Sequence, residues 1–302
     1  MLKLLLATLI MPGFLFTAVM GLLATWVDRK VTARLQYRVG PPWFQPFADV
    51  AKLLGKETMV PEGASRLVFL GAPLLGLAAV TFVGTMLWTL NVDRSASFVG
   101  DLIVLIYLLT LPSLAVIIGA SASRNPLAAL GASREMKLIL AYELSFILAV
   151  FTVVLKTGTL LIGGIVNYQA VHGLTITSLS GAIAFLVALL VIQAKLGAVP
   201  FDIPEAEQEL AGGAFIEYSG PALAVFRLTR AMLYFILPSL LVTLFLGGID
   251  VWFIVKYIAV LTLVILIKNT NPRLRIDQAI RFFWGPVTVV AMIGFALALA
   301  GW

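Results

Sequence analysis

No cysteine occurs in the 302 residues, and histidine occurs once, at 172. Without thiols the chain forms no disulfide and holds no thiolate-ligated iron–sulfur cluster. A lone imidazole cannot build a multi-histidine zinc or haem site. Charge is scarce too: Asp, Glu, Lys and Arg make up 12% of the residues, against about 25% in a soluble domain. Apolar residues make up 61%. So few charged groups cannot keep a folded surface in water, so lipid must be the main solvent. Also missing are a P-loop, a G-x-G-x-x-G fingerprint, an H-E-x-x-H helix, a nucleophile elbow and any 20–50-residue repeat. If electrons move in the functional unit, they move in other subunits. No redox cofactor or metal is expected in this chain.

Crossing a bilayer takes about 20 mostly apolar residues. Eight stretches meet that requirement, near 2–27, 68–90, 101–122, 137–157, 179–197, 217–245, 251–270 and 283–300. The expected fold is all-α: one polytopic membrane domain over 1–302, with amphipathic helices in its cytoplasmic loops. Pro221 and Pro238 mark bends or ends in the long sixth span. The first stretch runs into Asp28-Arg29-Lys30 with no basic leader and no small-residue cleavage site, and is read as a mature span. Connections fall near 28–67, 123–136, 198–216 and 271–282. Three of them are basic, carrying Arg29, Lys30, Arg34, Arg38, Lys52, Lys56 and Arg66, then Arg124 and Arg134 with Lys137, then Lys268, Arg273, Arg275 and Arg281. The opposite connections hold little beyond Arg94 and Lys156. The positive-inside rule puts the basic loops in the cytoplasm and both termini outside. The net charge of +6 then reflects orientation in the membrane, with no nucleic acid implied.

Residues 46–56 alternate with helical period, Phe47, Val50, Ala51 and Leu54 on one side and Asp49, Lys52 and Lys56 on another. A short helix lying at the membrane surface fits, whether as a simple connector or as a functional surface. Trp43 and Phe44 beside it serve as interface anchors or as part of a partner-binding face.

A few charges lie where lipid makes them costly. Glu143 sits six residues into the fourth span, about 9 Å beyond Lys137. Such an acid must be paired, hydrated or protonated, and is either a structural ion pair or a proton relay. Arg227 and Arg230 share one face of the sixth span and are the expected counter-charges. Lys256 snorkels to the outer interface.

The stretch KLGAVPFDIPEAEQELAGGAFIEY, from Lys195 to Tyr218, holds Asp202, Glu205, Glu207, Glu209 and Glu217 with no basic residue before Arg227. Asp202 as cap, Pro204 in a first turn, Glu205 completing D-x-x-E and Gly212-Gly213 as a stop predict one short helix. Asp202, Glu205 and Glu209 would then share a face. Crowded carboxylates titrate together, as a relay requires. A well-capped loop helix that meets a basic partner fits the same residues.

Two long motifs carry a resemblance over nearly the whole chain. RVGPPWFQPFADVAKLLGKETMVPEGASRLVFLGAP (38–73) and PFDIPEAEQELAGGAFIEYSG (200–220) resemble the first cytoplasmic loop and the acidic loop of the membrane-anchor subunit of respiratory complex I, called NuoH in bacteria. Energy-converting nickel–iron hydrogenases have a corresponding subunit. The run GASRE at 131–135 and the tail NTNPRLRIDQAIRFFW (269–284) look like the formate hydrogenlyase and group 4 membrane-bound hydrogenase branch, including its sulfur-reducing relatives.

That resemblance implies about eight tilted helices and a subunit without a redox centre. Such a subunit docks a hydrophilic redox arm (hydrogenase large and small subunits and an iron–sulfur subunit) and couples it to antiporter-like subunits moving protons or sodium ions. The nickel–iron or related centre and the iron–sulfur clusters are expected in those partners, with ferredoxin as electron donor and the prokaryotic cell membrane as location. Carried over by motif, Glu143 (in A-Y-E-L) is the buried relay glutamate, Asp202, Glu205, Glu207, Glu209 and Glu217 are the coupling loop, and Arg134 and Glu135 belong to the hydrogenase-type run. In quinone-using relatives the acidic loop helps form a quinone chamber, so a quinone-binding complex I subunit is the alternative. A stand-alone cation–proton antiporter would also bury acids, but no repeated, Gly/Pro-broken spans are visible.

Overall fold

A computed structural model describes residues 2–301, without the side chains of residues 2–5, 207 and 208. The expected coupling residue Glu207 therefore has its side chain outside the described residues. Fourteen α-helices follow one another, and no strand occurs among the described residues. The first span comprises α1 (Leu2–Leu9) and α2 (Phe14–Leu35), and the loop helix α3 (Gln45–Leu54) precedes α4 (Arg66–Val92). The third span is broken into α5 (Asp101–Leu108) and α6 (Leu111–Ala122), with Pro112 in the first turn after the break. Then come α7 (Pro126–Thr157), a short α8 (Ile162–His172), α9 (Leu179–Lys195), α10 (Glu207–Leu210), α11 (Gly220–Phe245) and α12 (Phe253–Thr270). The last span joins α13 (Ile276–Phe282) to α14 (Thr288–Leu299) through a π turn at Phe283–Val287.

Among the described residues, seven spans are long and apolar enough to cross a membrane, and α9, with 17 residues, is a shorter apolar helix. Its length of about 26 Å falls a little short of the roughly 30 Å hydrocarbon core. The chain is a multi-pass membrane protein, all-helical as its composition predicts.

Helix α11 is the axis. Its apolar window is 89% buried, against 28–50% for the other spans. A helix apolar on every face is buried on every face. Small residues let neighbours close in: a Cβ on Gly21 of α2 would stand 2.4 Å from the Ala231 carbonyl oxygen of α11. Two interior prolines leave carbonyls without their helical N–H, and in each case a tyrosine supplies the donor. Pro238 frees the Tyr234 carbonyl, which accepts from Tyr257 Oη at 3.2 Å. Pro73 frees the Phe69 carbonyl, which accepts from Tyr218 Oη at 2.9 Å, with the two rings stacked. Both helices run straight through their prolines, so Pro238 does not end the span, whereas Pro221 stands in the first turn of α11.

Two expected loops are shorter than the sequence predicts. Helix α7 starts at Pro126, capped by the Asn125 side chain on Leu127 N, so 123–136 is mostly helix and the 131–135 run lies on it. Hydropathy missed those turns because they pack through small residues: Ala128 and Ala132 are buried with Ala120 and Ala214, and a Cβ on Gly131 would meet Ala214 N at 2.5 Å. Likewise α13 starts at Ile276, leaving only 271–275 of the expected 271–282 connection. The loop helix forms near its predicted place but burial differs: Pro46 and Leu53 are buried, while Ala51 and Leu54 are exposed.

Connections gather at two ends. At one end lie 36–65, 123–125, 196–219 and 271–275, tied by contacts such as Leu274 N to the Pro200 carbonyl at 3.1 Å. At the other, Asp101 is fully buried and its carboxylate accepts from Ile162 N at 3.0 and 3.2 Å, holding the start of α8. Hydropathy alone assigns no element to the α8 stretch.

Candidate coupling cavity at the basic end

Between α2, α3, α6, α7, α9, the acidic loop and α11 lies a cavity of about 630 Å³. Its wall carries Asp28, Arg29, Asp49, Glu135, Lys195, Asp202, Glu205, Arg227, Arg230 and Tyr234 among apolar side chains. Charge clustered this densely, in a protein so poor in charge, marks the candidate site.

The acidic loop is not the single helix that its capping signals predict. A 3-10 turn at Ile203–Glu205 is followed by α10, and Ala211, Gly212 and Gly213 all take positive φ. These left-handed residues fold the chain back on itself, and a Cβ on Gly213 would stand 1.9 Å from the Pro204 carbonyl oxygen. Asp202 caps nothing. The acids therefore fan out, and each finds a partner on another element. Asp202 pairs with Arg273 at 2.9 Å, Glu205 with Arg230 at 2.5 Å, Glu209 with Arg134, and Glu217 accepts from the Asn125 amide at 2.5 Å. The basic residues missing from the loop itself come from α7, α11 and the 271–275 connection.

Burial pushes the Asp202 carboxyl above its ordinary range, against the pull of Arg273. Asp49 on α3 behaves oppositely. Burial would raise it, but hydrogen bonds from Arg29 at 2.7 Å and Gln45 at 2.9 Å hold it below the ordinary range.

Glu143 has a partner that sequence reasoning did not assign. Lys195 Nζ lies 2.9 Å from its Oε2, with side-chain exposures of 3% for the lysine and 20% for the acid. The ammonium also sits over the Tyr142 and Phe146 rings, 5.0 and 4.7 Å from their centroids. Arg227 and Arg230 are thus not the counter-charges of Glu143. Arg230 is turned to the end of α9, donating to the Leu196 carbonyl at 3.0 Å and to the Gly197 carbonyl as well as to Glu205. These carbonyls have no helical donor left, which is why a guanidinium settles there. Arg227 is exposed, forms no ion pair among the described residues, and acts on Asp49 through its field. Glu135 is hydrogen-bonded by Ser113 and likewise forms no ion pair among the described residues.

Sequence reasoning also missed Asp28. Its side chain is 8% exposed, Lys268 holds Oδ2 at 2.6 Å, and Oδ1, buried beside the cavity, has no partner. Both missed residues end apolar helical runs, Asp28 in α2 and Lys195 in α9, where a charge reads as a span boundary. No cluster of His, Asp or Glu suited to a metal ion occurs among the described residues.

Comparison with known proteins adds four findings. The family described as NADH dehydrogenase matches residues 7–299. The NuoH subunit of the NADH-quinone oxidoreductase of Thermomicrobium roseum is 36% identical, over 94% of this chain and 93% of that one. Subunit 8 of the Thermus thermophilus enzyme is 34% identical, over 90% and 80%. A chain in the solved structure of the membrane-bound sulfane sulfur reductase, an archaeal respiratory membrane complex, superposes with a TM-score of 0.89 at 30% identity, over 98% and 99%.

Proposed function

This chain belongs to the NADH dehydrogenase family of NuoH-like membrane subunits, and we propose that it is the anchor and energy-coupling subunit of a multi-subunit oxidoreductase related to respiratory complex I. The basic end faces the cytoplasm and receives a hydrophilic redox arm. The complex is a ferredoxin-linked nickel–iron hydrogenase or its sulfur-reducing relative, and antiporter-like subunits beside this chain move the ions. The GASRE run, the 269–284 tail and the likeness to a chain of a sulfane sulfur reductase complex support that branch. Metal centres and iron–sulfur clusters reside in the partners.

The observation that carries the coupling role is the position of Lys195. It lines the cavity, where Glu135, Asp202 and Glu205 also stand, and it holds Glu143. Turnover in the docked arm changes the charge on the cavity acids. Lys195 senses that change on one side and passes it to Glu143 on the other, because charges this close interact strongly where water is scarce. Glu143 exchanges its proton in response, and the antiporter-like subunits use the change. In the Glu143→Gln variant, redox turnover continues and ion uptake into sealed vesicles is abolished. Unchanged uptake overturns the mechanism.

A second reading is favoured by the names of the relatives, which are subunits of NADH-quinone oxidoreductases. In it the cavity is part of a quinone chamber. A quinone analogue that shields Ile216→Cys, on the cavity wall, from a maleimide would favour that reading. A nickel-containing large subunit copurifying in mild detergent favours the first.

A further inference from the structure

A second, smaller concavity faces the lipid rather than the basic end. It encloses about 360 Å³ between α9, α12 and the π turn, and every residue lining it is apolar, among them Leu190, Ile267, Phe282, Pro286 and Val290. The π turn shapes it. Gly285 has no side chain, and a Cβ built there would meet nothing within 4 Å, so the wall is recessed. An apolar recess offers water no hydrogen bonds, so hydrocarbon is its natural filling.

The charges at one end select the kind of hydrocarbon. Phe282 is preceded by Arg281, and Arg275 caps the same helix; both arginines are exposed and neither forms an ion pair among the described residues. The neighbouring cations are already taken, Lys268 by Asp28 and Arg273 by Asp202. Asp277 is the acid on this helix, so two arginines face one carboxylate. From Phe282 to Val290 the groove wall runs eight residues, about 12 Å of helix rise. One leaflet supplies about 15 Å of hydrocarbon, half of a core of roughly 30 Å. The groove thus matches the reach of an acyl chain whose headgroup lies at the level of the two arginines.

We propose that this groove seats one acyl chain of an anionic phospholipid, with its phosphate held by Arg275 and Arg281. The chain would rest on the acidic loop's support, because the Phe282 ring lies 6.0 Å from that of Phe201, the residue before Asp202. The proposal does not depend on the coupling reading and stands or falls separately.

The test uses the purified assembly containing this chain, reconstituted into phosphatidylcholine vesicles. One set carries phosphatidylglycerol with a photoreactive acyl tail, the other phosphatidylcholine with the same tail. Expected is about tenfold more adduct on Leu190 and Ile267 with the anionic probe, the preference that two basic side chains near an anionic headgroup allow. Arg275→Glu with Arg281→Glu should bring the two probes level, and Leu190→Trp, which fills the recess, should lower adducts from both. Equal labelling in the unaltered protein overturns the proposal, as does labelling no heavier than at the lipid-facing Phe82. So does a cross-link from a photoreactive residue at position 190 to a companion polypeptide, which would make a protein helix the occupant.

Discussion

Among single residues, the Glu143–Lys195 pair separates stability from coupling. Lys195 is almost fully buried, so Glu143→Ala leaves its ammonium without a counter-ion at a cost of about 3–5 kcal/mol. Glu143→Gln costs less, since an amide oxygen still accepts the same hydrogen bond. Pairing Glu143→Ala with Lys195→Met removes both charges and should recover most of the lost thermal stability of the purified assembly, while ion uptake remains absent. If the double variant is no more stable than Glu143→Ala, the pair is not the buried unit described above. Glu143 was legible in the sequence because an acid deep in an apolar run has few explanations. Lys195 was not, because pairing across 52 positions leaves no periodic trace and a lysine at a helix end has an ordinary reason to be there. Asp28 was hidden for the same reason.

Whole helices are held by devices that hydropathy does not see. Tyr257→Phe strands the Tyr234 carbonyl above Pro238, and Tyr218→Phe strands the Phe69 carbonyl above Pro73; each should cost about 1–3 kcal/mol. Adding Pro238→Ala to Tyr257→Phe restores the helical N–H, so the thermal midpoint should rise back toward that of the unaltered protein; failure to rise would deny the tyrosine its role as donor. The acidic loop responds to pH with a definite sign. Asp202 has a raised carboxyl pKa when folded, so the folded loop binds its proton first, and the stabilisation is full below the ordinary value of 3.8. It is lost as pH rises through the raised folded value. Hydrogen-exchange protection of the 201–206 amides, corrected for intrinsic rates, should fall across that window, and Arg273→Gln should widen it upward. Local signals in the loop gave the right stops, Gly212 and Gly213, but the wrong interior. Capping rules assume that an acid serves its own helix, whereas Asp202, Glu205 and Glu209 each serve another element.

At the scale of the whole molecule, composition and spacing made the number of crossings legible, while the cavity depends on how helices far apart in sequence pack. The charge bias of the loops predicts a sidedness that the absence of native cysteine makes simple to measure. An impermeant maleimide added to intact cells should label Ala96→Cys and spare Asn271→Cys, with the reverse in inverted vesicles. The opposite result would place the cavity outside the cell and remove it from any cytoplasmic redox arm. Helix α11 has a mechanical consequence for that cavity. It supplies Arg227, Arg230 and Tyr234 to the wall, yet the chain's own helices wrap most of its length. Lateral pressure from the bilayer therefore reaches this wall only through its neighbours, while α2, α7 and α9 meet lipid directly. Changes in membrane thickness or tension will move the outer walls against a fixed inner one, so the cavity can change width without losing the arginine that clamps the acidic loop.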